Sequence, residues 1–287
     1  MNSRLVPLIA LVVVVIDAVL LATGVIGPAT AFALFLAVEV PLAAIAVTGY
    51  VRRYRVHRAD ARTLADAVRA LAAEDPYLRL IGTEARTLAS LARWVTRRPD
   101  VPDGAATLGY SRGTLGIPVA MAVAAAIELI AVHLLVPWPE VRLVLDLLGI
   151  YGLLFVLGWL AGRIVRPHLI EGGELVLRSG THVCARVPLD AIATVRRDRR
   201  LSPTSAEITT DASGGNALTL AGPDGTTLGI ELDRPVPASV PGFAWSAPSP
   251  REVTVLRLHV DDPDAALRAI TEAVAGTGAK PRAGYAP

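Results

Sequence analysis

The 287-residue chain holds a single cysteine, Cys184, and a single lysine, Lys280. One thiol excludes an intrachain disulfide and every multi-cysteine zinc site. Aromatic residues supply only 5% of the chain and charged residues 19%, where a soluble domain carries about 25% charged residues. That shortage argues against an ordinary cytosolic enzyme. A net charge of +2 gives no general reason to bind nucleic acid. Also missing are a G-x-G-x-x-G turn, a P-loop and an H-E-x-x-H pair. No Ser/His/Asp arrangement has supporting context, so no catalytic residue is assigned. What the chain does have is 53% apolar residues, mostly Ala, Val and Leu. This is the composition of a chain that meets a bilayer. With 27 arginines beside one lysine, the usage is that of a GC-rich bacterial genome.

Four apolar runs stand out, residues 5–23, 28–50, 114–136 and 141–161. Each is long enough at about 1.5 Å per residue to cross a hydrocarbon core of about 30 Å. The first is read as a span and not as a signal peptide, because it carries Asp17, lacks an A-x-A site and runs almost directly into the second. The runs form two tight pairs whose connections are too short to hold a domain. Arginines gather on the other side: Arg52, Arg53, Arg55 and Arg58 follow the second run, Arg112 precedes the third, and Arg163 and Arg166 follow the fourth. The positive-inside rule then predicts a multi-pass protein of the bacterial plasma membrane with both termini and the middle loop cytoplasmic.

In the middle loop, Leu64, Val68 and Leu71 repeat at helical spacing with Asp60 available as an N-cap, and a second helix is expected from Pro76 to about Arg97. Its Tyr77, Ile81, Ala85, Leu88, Leu91 and Val95 share one face, interrupted by Glu84, while Arg79, Arg86, Arg93 and Arg97 lie opposite. The expectation is a helical hairpin packed on protein through its apolar face. The arginine stripe is then solvated, or offered as an interaction surface to an acidic partner. Beyond His168 the period changes from 3.6 to 2. Strands are expected at residues 174–178, 182–187, 188–195, 206–210, 217–220, 226–232 and 252–260, with turns at Ser179-Gly180, Gly214-Gly215 and 222–225. A helix follows Asp262-Pro263, with Ala266, Leu267, Ile270 and Val274 on its apolar side. The basic cluster at 196–200, after a strand, is read as a solvated loop, with contact to anionic headgroups as the alternative.

The run Glu171-Gly-Gly-Glu-Leu-Val-Leu-Arg-Ser-Gly180, followed by Ala185-Arg-Val-Pro-Leu-Asp-Ala-Ile-Ala-Thr-Val195, resembles the start of bacterial pleckstrin-homology-like domains. The whole chain resembles uncharacterised bacterial multi-span membrane proteins that carry such a tail. The resemblance covers about 110 residues and implies a bent antiparallel barrel capped by a helix. The Pro-rich stretch before the last strand departs from it, and no catalytic residue is carried over. The expected fold is therefore a membrane all-α four-helix bundle with a cytoplasmic helical hairpin and a C-terminal small antiparallel β-barrel or sandwich of pleckstrin-homology-like type. Its parts are residues 1–50 and 114–166 for the spans, 51–113 for the hairpin and 167–287 for the β domain.

Each span carries one carboxylate, Asp17, Glu39, Glu128 and Asp146, and His133 accompanies Glu128. A charge at the bilayer centre costs about 2.5–3.5 kcal/mol even on lenient scales. These acids are then protonated, hydrogen-bonded between helices as structural glue, or gathered around a proton or a divalent metal ion. Two functions follow, with an intramembrane metal-dependent enzyme as a third option. The leading one is a non-enzymatic membrane protein presenting a cytoplasmic interaction module to a protein or to anionic lipid headgroups. The alternative is a proton or divalent-cation binding or transport protein. Four spans make a narrow bundle, so a transport path would call for a homo-oligomer. Gly158-x-x-x-Gly162 in the fourth run is a helix-packing motif.

Overall fold

The structure, a computed structural model, describes residues 12, 13, 16, 19, 20, 23–61, 63–210, 215–242 and 249–277. The chain divides after Leu78 into two compact units. In the first, α1 (Pro28–Asp60) is followed by α2 (Leu64–Glu74). α1 continues ten residues past the expected end of its span at Tyr50, through the arginine cluster to Asp60. The N-cap of α2 is Thr63 and not Asp60. Its hydroxyl accepts from the Asp66 N–H while the Asp66 side chain accepts from the Thr63 N–H, a reciprocal capping box. Asp75, buried, accepts from Arg53 of α1 at 3.2 Å and caps the start of α3 (Pro76–Val95) through the Tyr77 and Leu78 N–H groups.

The second unit contains the rest of α3, the hairpin of α4 (Gly116–Leu135) and α5 (Pro139–Val165), a sheet, and the C-terminal helix α6 (Pro263–Gly276). Among the described residues three helices are long and apolar enough to cross a membrane: Phe32–Ala59 within α1, α4, and α5. The expected run at residues 5–23, with its Asp17, lies largely outside the described residues.

Among the described residues the sheet has nine strands: β1 (Ala106–Leu108), β2 (His168–Glu171), β3 (Glu174–Ser179), β4 (His182–Pro188), β5 (Ile192–Arg200), β6 (Glu207–Thr210), β7 (Asn216–Leu220), β8 (Thr226–Ala238) and β9 (Arg251–Leu258). Its path runs β1-β2-β3-β4-β8-β9-β7-β6, with β5 paired to β8 off that path. The 13-residue β8 joins the two halves. Its first part lies between β5 and β9, and its end at Ala238 pairs with Ala185 of β4. Alternation puts Leu175, Leu177, Val187, Leu218, Leu228, Ile230, Leu256 and Leu258 on one fully buried face. Ala266, Ile270 and Val274 of α6 close that core, and Asp262 caps the helix by accepting from the Ala265 N–H at 2.9 Å. Asp264 in the first turn of α6 pairs with Arg197 of β5.

This architecture overturns the all-α four-helix bundle and the purely antiparallel barrel. A nine-stranded mixed sheet occupies most of the C-terminal part, and β7 runs parallel to β9. Apolar length marks a span but does not say which helices pack. Gly158 and Gly162 of α5 receive α3 and not another apolar run. A Cβ on Gly158 would lie 2.6 Å from the Thr87 carbonyl oxygen, and one on Gly162 would lie 3.6 Å from Ser90 Oγ. Thr87 and Ser90 are accordingly the buried residues of α3, and their hydroxyls bond back to the Thr83 and Arg86 carbonyls. The expected orientation of α3 is reversed, because small polar residues allow the close backbone approach that leucines would block. Ile81 and Val95 of its apolar face are 59% and 71% exposed. The basic run 196–200 is likewise strand and not loop. Within it Arg196 pairs with Glu231 at 3.3 Å and Arg200 with Asp198 at 2.9 Å.

Asp100, in the linker after α3, fastens helices to sheet. Its carboxylate takes Arg93 of α3 and Arg166 at the end of α5, each at 3.0 Å. Its N–H donates to the Val165 carbonyl at 2.8 Å, and its carbonyl accepts from Arg178 of β3 at 2.9 Å. Asp100→Ala should lower stability by about 2 kcal/mol, because buried Arg166 loses its carboxylate. Thermal unfolding of the purified protein checks this, and an unchanged midpoint would show the hub to be dispensable.

Candidate functional site

The chain folds so that a partly open cavity of about 450 Å³ forms between the helix ends and the sheet. That volume lies within the range of small-ligand sites. Thr114, Ile117 and Pro118 come from the start of α4, and Trp159 and Arg163 from the last turns of α5. The sheet contributes His168, Arg178 and Ser179, with His259 following β9. Tyr110, from the linker after β1, completes this wall. Among the described residues no carboxylate lines the cavity.

His168 opens β2 and is 1% exposed. Its ring stacks on Tyr110, with centroids 4.5 Å apart and planes 21° from parallel. The Arg178 N–H donates to its Nδ1 at 3.0 Å. The proton of the neutral ring must therefore sit on Nε2, which has no partner among the described residues. Burial, helped by Arg178 and His259, pushes the His168 pKa down to about 3, so the ring stays neutral and keeps its Nε2–H donor. Tyr110 Oη accepts from the Gly180 N–H at 2.8 Å, and burial raises its pKa to about 12.

His259 packs flat against Gly222, where a Cβ would lie 2.7 Å from the imidazole. Its Nε2–H donates to the Arg112 carbonyl at 3.1 Å, leaving Nδ1 buried without a partner among the described residues. Arg163 stacks over Trp159 at 5.2 Å and has no carboxylate partner among the described residues. Burial lowers the Arg178 pKa from its ordinary value, but a guanidinium stays charged. The cavity thus presents two cations and a buried neutral donor. Such a set is suited to an anion.

The sequence-predicted residues fall elsewhere. His133 Nδ1 and Asp146 Oδ2 lie 2.8 Å apart across the α4–α5 hairpin. Glu128 lines a separate apolar groove with Leu145 and Gly149. Gly149 is the close-approach point of that hairpin, since a Cβ there would meet Leu129 Cδ1 at 2.9 Å. Asp17 and the Glu39 side chain lie outside the described residues. Among the described residues no group of three or more His, Cys, Asp or Glu side chains is placed to hold a metal ion. The arginine stripe is divided: Arg93 is engaged by Asp100, and Arg86 Nε bonds the Gly82 carbonyl. Arg79 Nε is buried without a partner among the described residues, and Arg97 is exposed with φ +54°.

Sequence reasoning missed the cavity. It read Arg163 as an orientation signal and His168 as the point where the period changes. A histidine at the head of an apolar strand was the available sign, and it is a weak one. No protein-family profile, curated protein or solved structure matches this chain.

Proposed function

We propose that the chain is an integral protein of the bacterial plasma membrane that carries its sheet domain at the cytoplasmic face as a non-catalytic interaction module. The observation that carries this reading is the fastening of the sheet to the α4–α5 hairpin at both ends of that hairpin. β1, ahead of α4, pairs with β2, just after α5, in the register Ala106↔Ile170 and Leu108↔His168. Asp261 adds a second clasp, accepting from the Arg112 N–H at 2.7 Å and donating its own N–H to the Gly109 carbonyl at 2.8 Å. Such pairing supports a hairpin whose two ends leave the bilayer on one side. The arginines at those ends, Arg112, Arg163 and Arg166, argue that this side is the cytoplasm.

Site-directed labelling tests the reading. Cys184 is buried and its thiol pKa is pushed up to about 12, so the native thiol should stay silent to an impermeant maleimide. Cysteines placed at exposed Asp103 and Glu272 should label in inside-out vesicles and not in intact spheroplasts. Labelling of either position in intact spheroplasts would overturn the proposal.

A further inference from the structure

Resting on that reading, we infer that the cavity bounded by Arg163, His168 and Arg178 binds the phosphate of an anionic phospholipid headgroup. Three independent observations converge on it. The first is position. α4 has 20 residues, so it spans about 30 Å, the thickness of the hydrocarbon core. Its first turn therefore sits where hydrocarbon gives way to headgroups, and Ile117 and Pro118 of that turn line the cavity. Trp159 and Arg163 mark the same level on α5, an aromatic and a cation where each is favoured at a membrane boundary.

The second observation is charge. Arg163 and Arg178 line a cavity that has no carboxylate among its described lining residues, and among the described residues Arg163 lacks the carboxylate that engages Arg93, Arg166, Arg196, Arg197 and Arg200 elsewhere. The third is the donor at the base of the cavity. His168 Nε2–H is buried and unpartnered among the described residues, and a buried donor left unmade is costly. A phosphate oxygen would satisfy it, and the Arg163 guanidinium on the same lining would pair with the remaining charge. The apolar wall of Ile117, Pro118 and Trp159 then faces the glycerol and the first methylenes of an acyl chain, which free phosphate would leave uncovered. The same anion chemistry could reach the site as inorganic phosphate, so the test separates the two sources.

The full chain is extracted from vesicles of equimolar phosphatidylcholine and phosphatidylglycerol, and retained lipid is read by native mass spectrometry. Selective retention of phosphatidylglycerol by the wild type is expected. Arg163→Gln should lower it by about tenfold, the loss of one charged hydrogen bond. Ser205→Glu, which adds an anion to the lining without touching an arginine, should lower it as well and guards against a folding artefact at position 163. Arg199→Gln, on an exposed residue of β5 outside the cavity, should change nothing.

Equal retention by wild type and both cavity variants would overturn the site. So would an equal loss in Arg199→Gln, which would mean diffuse surface attraction. Thermal stabilisation of the detergent-solubilised protein by inorganic phosphate, without selective lipid retention, would overturn the lipid assignment. Failure of the cysteine labelling described above would defeat the membrane-surface reading itself. Intact labelling with unselective lipid would defeat this inference alone.

Discussion

Gly158→Val should unseat α3 from α5 and lower the thermal midpoint of the detergent-solubilised protein by roughly 5–10 °C, taking about 3 kcal/mol of strain over a unit of this size. A Cβ at position 158 would meet the Thr87 carbonyl carbon and Cγ2 at 3.0 Å as well as the carbonyl oxygen at 2.6 Å. Two of those three atoms are backbone, so no rotamer change relieves the clash. Gly152, on the same helix, has nothing within 4 Å of its would-be Cβ, and Gly152→Val should be nearly silent. The pair isolates the helix contact from any general cost of branching in α5. Equal midpoints for the two variants would show that α3 does not depend on this approach.

Acid should destabilise the sheet through His168. Its folded pKa of about 3 lies below the ordinary value of 6.5, so between those two values the unfolded chain binds the proton and the folded chain does not. Stability is full above pH 6.5 and is lost as pH falls toward 3, at about 1.4 kcal/mol per pH unit. His182, also lowered by burial, contributes in the same direction. His168→Asn keeps an acceptor for the Arg178 N–H but cannot titrate. It should be less stable than the wild type at pH 7, having lost the stack on Tyr110, and should show a shallower acid limb in denaturant titrations. Parallel acid limbs for the two proteins would remove His168 from the account.

The contrast between these sites explains what the sequence could disclose. Residues 28–50, 114–136 and 141–161 announced apolar helices because length and composition are local. Glu174–Ser179 and His182–Pro188 announced a hairpin because alternation and Ser179-Gly180 are local too. β1 escaped, since three residues of Ala-Thr-Leu carry no usable period. The parallel pairing of β7 with β9 escaped because it joins Ala217 to Val255 across the Pro-rich stretch, and no local signal sets such a partner. The reversed face of α3 escaped for a related reason. Thr87 and Ser90 look like solvent-facing residues until two glycines of α5 are brought against them. The cavity draws on Tyr110, Arg163, His168, Arg178 and His259, so it exists only once the hairpin and the sheet are joined. The carboxylates, by contrast, were conspicuous in the sequence because each interrupts an apolar run. Of them the described residues show one close acid–base contact, His133 with Asp146.

β1 also bears on how the protein is made. Synthesis delivers Ala106–Leu108 before the hairpin of α4 and α5 and delivers its partner strand only after that hairpin. Until then Leu108, which belongs to the buried core of the sheet, has nothing to cover it. On the proposed membrane reading, the outer edge of the sheet is closed by a segment that must wait while the α4–α5 hairpin enters the bilayer. On that reading, completion of the sheet would follow insertion of the hairpin. A hairpin that failed to insert would leave β2 with a bare edge, the kind of surface that draws chains into aggregates.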